Sequence, residues 1–249
     1  ADPPSKGIPA GCPGADKDEA SDASPKVCAF KNAAYIGTTW RLHPGLYPGG
    51  VDLSTGTFHL MPGIYYIAGG GFSAGGQDAT VLTVGKSGEL DTVDPEHLAM
   101  RGVMIYNTDH DSVAWKPVSL NGGYADFEML PFQLPTTDPD HIYNNIIIFN
   151  DREYPQYDLL DPSVDVPKSI TFNGGGSNFD VRGLVYSPRG QVYVNGNSDY
   201  DDSVPPQPIQ FTLDKVIAGT YTFNGNGGSM LALNNEEFEN ELRAVGLIE

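Results

Sequence analysis

The run "SITFNGGG" (169–176) decides how this chain is read. Apolar Ile170 and Phe172 alternate with Ser169 and Thr171, the period of a strand with one buried face, and the run ends on Asn-Gly. Three other stretches repeat it: "VSLNGG" (118–123), "QVYVNGN" (191–197) and "TYTFNGNGG" (220–228). Their asparagines, Asn121, Asn173, Asn195 and Asn224, follow one another at 52, 22 and 29 positions (173 − 121, 195 − 173, 224 − 195). Asn-Gly is also the signature of a type I′ hairpin, but a hairpin needs a second strand directly after the turn. "GNSDYDDSVPPQP" after Asn195 cannot supply one, and "GGYADFEMLPFQLP" after Asn121 is a poor candidate. The pattern therefore predicts a solenoid with coils of 22–29 residues and one long insertion, "DREYPQYDLLDPSVDVP" (151–167). The four asparagines are expected at its corners, where Asn and Gly tolerate left-handed backbone and where their side chains can stack along the axis. Val118, Leu120, Ile170, Phe172, Val192, Val194, Tyr221 and Phe223 should then face inward, and Ser119, Thr171, Tyr193 and Thr222 outward.

Outward from these runs the chain continues in short β patterns, among them "GVDLS", "TFHLMPGIYYIAGGGFS", "ATVLTVG", "GVMIYNT" (102–108), "NIIIFND" (145–151) and "GLVYSPR" (183–189). No helical period occurs in this region. The expected fold is all-β, a right-handed parallel β-helix over 35–234. An irregular, Pro- and Gly-broken segment (1–34) precedes it, and a short amphipathic helix (235–249) follows. In that tail Asn235 is the expected N-cap, and Phe238, Leu242 and Val245 share one face that would cover the end of the solenoid.

Of the 249 residues 30 are Gly and 20 Pro, yet 39% are hydrophobic and 10% aromatic, enough to bury a core. The net charge of −18 disfavours nucleic acid and anionic lipid as partners and favours cations, basic proteins or cationic polymers. Cys12 and Cys28 are the two cysteines. A bond between them would close a short loop, contribute on the order of 3 kcal/mol and suit an oxidising compartment. No apolar run approaches the ~18 residues of a membrane span.

The stretch "LHPGLYPGGVDLSTGTFHLMPGIYYIAGGGFSAGG" resembles the Pro-Gly-(Ile/Val)-Tyr and Gly-rich segment of TadE/TadG-like proteins of tight-adherence (Flp-type) pilus systems. The order that follows is similar to that family as well: "GVMIYNT", "NNIIIFNDR", "ITFNGGGSN", "RGLVYSPRGQVYVNGN" and "YTFNGNG". The resemblance covers about 42–234 and implies an extracellular, envelope-associated β-helix with no catalytic residues to carry over. It also implies an N-terminal membrane anchor, for which this sequence holds no segment. "PGLY" and "PGIY" before Gly-rich strands resemble the ice-binding β-solenoids too, but the outward column Ser119, Thr171, Tyr193, Thr222 is neither long nor uniform.

Several candidates for chemistry remain. "GFSAG" (71–75) fits the nucleophile elbow G-x-S-x-G, but an elbow needs a helix after Ser73, and "GQDATVLTVG" reads as strand; Ser73 is expected in a turn. "NTD" (107–109) is similar to a polygalacturonase signature, whose companion Gly-His-Gly and Arg-Ile-Lys motifs are missing. His43, His59, His97, His110 and His141 show no metal-ligand spacing. "SDYDDS" (198–203) gathers Asp199, Asp201 and Asp202, a candidate Ca²⁺ site against the alternative of a solvated acidic loop. Tyr154, Tyr157 and Tyr200 are candidate ligand contacts beside acidic insertions. The leading expectation is a non-enzymatic structural or adhesive subunit of a bacterial envelope or pilus, exposed at the cell surface. It would bind protein partners or itself, without catalytic residues and with no cofactor beyond that candidate calcium. The alternatives are a polysaccharide-binding or polysaccharide-degrading β-helix, with Asp109, Asp111, Asp201 and Asp202 as suspects, and an ice-binding solenoid.

Overall fold

The structure, a computed structural model, describes residues 15–17, 30–31, 39–83, 102–109, 113–122, 127–155, 165–175, 179–197 and 211–224. Fourteen strands occur in them: β1 (Ala15–Lys17), β2 (Phe30–Lys31), β3 (Thr39–Leu42), β4 (Gly45–Tyr47), β5 (Val51–Leu60), β6 (Gly63–Ala68), β7 (Phe72–Thr83), β8 (Val103–Thr108), β9 (Val118–Asn121), β10 (Phe127–Met129), β11 (Ile146–Asn150), β12 (Lys168–Gly175), β13 (Phe179–Asn197) and β14 (Phe211–Asn224). The described chain has one 3-10 turn, Pro139–Tyr143, and no α-helix. The helix expected at 235–249, with Phe238, Leu242 and Val245, lies outside the described residues. So do Cys12, Cys28, Asp111, Tyr157, Asp199, Tyr200, Asp201 and Asp202.

Every strand pair is parallel except β1 with β3, and the registers sort the strands into three ladders that the chain visits in turn. The first ladder stacks β3, the end of β5, the end of β7, β10 and the starts of β13 and β14. The second stacks β4, β6, β8, β11 and the middles of β13 and β14. The third stacks β2, the starts of β5 and β7, then β9, β12 and the ends of β13 and β14. Because β13 and β14 each run through all three ladders, the arrangement is solenoid-like rather than a set of hairpins.

The four Asn-Gly runs lie together in the third ladder: Asn121 is in register with Asn173, Asn173 with Asn195 and Asn195 with Asn224. The reason differs from the expected one. Asn145 (φ 66°) is the one non-glycine residue with positive φ among the described residues, so the four asparagines are extended strand residues, not left-handed corners. Left-handed backbone falls instead to glycines such as Gly70 (φ 72°), where a Cβ would overlap the Gly49 carbonyl of the coil before it. Gly75 takes the ladder position before Asn121 because a Cβ there would overlap the Asn121 carbonyl oxygen.

Val118, Leu120, Ile170, Phe172, Val192 and Val194 are buried at 0–5% exposure, as expected of inward positions. Tyr221 and Phe223 register with Val192 and Val194 but are 52% and 45% exposed; they belong to the last coil described, and among the described residues no further coil stacks on them. Like residues stack through the interior, as Phe127 on Phe179 does at 4.8 Å. Tyr65, buried among apolar neighbours, shares its single hydroxyl hydrogen between the carbonyls of Leu42 (2.5 Å) and Met61 (2.8 Å). Burial pushes that hydroxyl's pKa well up.

The coils are less regular than the spacing suggested. Registered residues lie from 18 positions apart (Thr39 and Thr57) to 52 (Phe127 and Phe179). The long excursion 151–167 joins the second ladder to the third, but a second one, 130–145, was not anticipated. It folds back over the outside of the second ladder, where the outward row Tyr66, Tyr106, Phe149, Tyr186 stacks at centroid distances of 5.5, 5.6 and 4.7 Å. Phe132 and Tyr143 of this excursion join that row in a second apolar cluster. Asn144 pins it by accepting from the Leu134 amide (2.7 Å) and donating back to the Leu134 carbonyl (2.9 Å). Strands β1 and β2 fall inside the segment read as irregular, and Ser73 lies within strand β7 rather than in a turn.

Candidate functional site

At the ends of β8 and β11 the chain turns from the second ladder toward the third, and polar side chains gather there. The two strands are in register, so Asn107 sits against Asn150 and the residues after them leave at the same corner. Asp151 is the hub on the outside. Its carboxylate accepts hydrogen bonds from Thr108 Oγ1 (2.9 Å), Tyr106 Oη (3.1 Å) and the Glu153 amide (3.0 Å). This turn aims Tyr154 at Asp109, whose Oδ2 accepts the phenol proton at 2.5 Å, and lays the Tyr154 ring on Trp115 at 6.3 Å, 14° from parallel. The hydrogen bond to Asp109 first, then desolvation and the surrounding carboxylates, push the Tyr154 hydroxyl up to about 12. Burial raises Tyr186 as well, and the nearby Arg152 guanidinium pulls it back.

Behind this surface runs a buried polar column that the sequence analysis missed. Asn107 Nδ2 donates to the Lys116 carbonyl and to Asn150 Oδ1, both at 3.0 Å. Asn150 Nδ2 donates to Ser187 Oγ (3.0 Å), which pairs with Ser169 Oγ (2.6 Å), and Ser169 donates to the Gln191 carbonyl (3.1 Å). The signal was present: aligning "IYNT", "IFND" and "VYSP" on their aromatic residue places Asn107, Asn150 and Ser187 at one position. Three atoms of this corner, Asn107 Oδ1, Trp115 Nε1 and Arg152 Nη2, are buried with no hydrogen-bond partner, each at a cost of ~1–3 kcal/mol.

Of the candidates described, Tyr154 and Asp109 are brought together. Ser73 stands apart on the third ladder, where it is in register with Ser119; the strand continues past it and the elbow's helix is missing. Asn121, Asn173, Asn195 and Asn224 form their own row, in which Asn173 Nδ2 donates to Asn121 Oδ1 at 2.5 Å and Asn224 Nδ2 to Tyr193 Oη at 3.1 Å. Ser119, Thr171, Tyr193 and Thr222 share one register; the Lys168 ammonium lies over the Tyr193 ring at 3.8 Å, and Gln191 donates to Thr222. Among the described residues no group of three or more His, Cys, Asp or Glu is placed to hold a metal. No described helix is long and apolar enough to cross a membrane.

Fold and site together define a parallel, solenoid-like β protein with an aromatic and acidic corner. Comparison of the chain with protein-family models, with curated proteins and with solved structures finds no match.

Proposed function

We propose that this chain is a non-enzymatic structural or adhesive subunit of a bacterial envelope or pilus, a right-handed β-helix that presents its insertions to partners outside the cell. The observation that carries the reading is the registered stack itself. Ladders locked by an asparagine row outside and an Asn–Asn–Ser column inside make a stiff support, and the Asp109–Trp115–Tyr154 corner leaves from it. Right-handed winding follows from the strong preference of parallel crossovers for that hand. The net charge of −18 favours a basic or cationic partner.

A second reading, polysaccharide binding, is supported by the same corner. A stacked Trp115–Tyr154 pair beside the carboxylates of Asp109 and Asp151 offers an outer aromatic face to the apolar face of a pyranose and acceptors to its hydroxyls. The test is to incubate the full chain with neutral, acidic and cationic polysaccharides and to measure both retention and new reducing ends. The adhesive reading expects retention or self-association with no reducing ends. Retention lost in Trp115→Ala selects the polysaccharide-binding form. Reducing ends that vanish in Asp109→Ala overturn the non-enzymatic reading.

A further inference from the structure

Each asparagine of the outer row is followed by glycine, the pair that deamidates most readily because no side chain shields the glycine nitrogen. In that reaction the glycine amide nitrogen attacks the asparagine Cγ, the Cγ–Nδ2 bond breaks, and ammonia leaves from a cyclic imide. Water then opens the imide to aspartate or isoaspartate, so no other reactant is needed. The attack requires a free glycine N–H and a backbone rotated out of the extended form. The row withholds both to different degrees. The Gly122 amide donates to the Asn173 carbonyl (2.8 Å), the Asn121 and Asn173 carboxamides are joined, and both residues are only partly exposed. The β12–β13 ladder runs on past Asn173 and Asn195 through the pair Gly174–Gly196. Asn195 is exposed, however, and Asn224 is exposed on the last described strand, its backbone paired with β13 and its carboxamide held, among the described residues, by Tyr193 Oη alone.

We propose that the asparagine row is a graded modification site, deamidating from its last described member inward: Asn224 first, Asn195 second, Asn173 and Asn121 last. Conversion at Asn224 exchanges a neutral amide for a carboxylate and removes the donor to Tyr193. An isoaspartate adds a methylene to the backbone and breaks the register of that coil. The experiment is prolonged incubation of the full chain at mildly alkaline pH, with peptide mapping by mass spectrometry. The same chain unfolded in denaturant gives the intrinsic rate of each site. Relative to those rates, Asn121 and Asn173 should be slowed at least ~10-fold more than Asn224, a difference of ~1.4 kcal/mol in local opening. Tyr193→Phe should speed Asn224 alone. Conversion of Asn121 or Asn173 as fast as Asn224 in the folded chain, or equal slowing at all four sites, would overturn the proposal.

Discussion

Tyr154 shows how one side chain reports the whole corner. Its phenol is held protonated chiefly by its hydrogen bond to Asp109, which raises its titration from 10.0 to about 12. The sign follows from linkage. Above the ordinary value the unfolded chain releases this proton while the folded chain keeps it, so the group's contribution is intact below pH 10.0 and is lost as pH rises through about 12. Asp109→Asn removes the charge and should bring the phenol back toward its ordinary range. The check is the near-ultraviolet difference titration of tyrosinate between variant and parent; coincident curves would show that Asp109 does not hold the phenol. This pairing could not be read from the sequence, since Asp109 and Tyr154 are 45 positions apart and meet only because β8 and β11 share a register.

Among elements, the third ladder was legible because its strands bury one face. Alternation of apolar and polar residues marked Val118, Leu120, Ile170 and Phe172 as inward, and the repeated Asn-Gly marked which strands share one register, although β12 and β13 run on past theirs. The second ladder was legible only as continuous apolar runs, the pattern of strands covered on both sides, and nothing local said what covers the outside. The cover is the excursion 130–145, whose Phe132, Leu134 and Tyr143 are spaced by prolines and polar residues without any period. The asparagines were placed in the right row for the wrong backbone reason, because Asn-Gly signals both a left-handed turn and an extended ladder position. The excursion makes a direct prediction. Phe132 is 2% exposed, and Phe132→Ala should cost about 3–4 kcal/mol if the excursion folds with the stack. Hydrogen exchange localises the damage. The amides of Leu134, Asn145 and Leu184 bond within or onto the excursion and should exchange faster, whereas those of Gly122 and Gln191 in the third ladder should not change. Uniform acceleration would mean that the excursion is part of one cooperative unit.

At the scale of the molecule, a stack of coils concentrates charge as well as order. Each coil contacts its neighbours, so stability is a sum of local terms, and a net charge of −18 works against all of them. Sodium chloride should therefore raise the melting temperature by screening. The run "SDYDDS" lies in the sequence between β13 and β14 and places Asp199, Asp201 and Asp202 within four positions. A cation bound there only in the folded state would add RT ln(1 + [L]/Kd), about 2.7 kcal/mol at a hundredfold excess over Kd, well beyond screening. Calcium suits such a site better than magnesium, since it accepts a larger and less regular set of carboxylate and carbonyl oxygens. The expected outcome is a higher melting temperature in millimolar Ca²⁺ than in Mg²⁺ or in NaCl at equal ionic strength. The excess should disappear in Asp201→Asn with Asp202→Asn, while the response to NaCl persists. Identical melting in calcium, in chelator and in matched NaCl would mean that these aspartates act through their charge alone. The acidic run would then serve solubility or attraction of a basic partner.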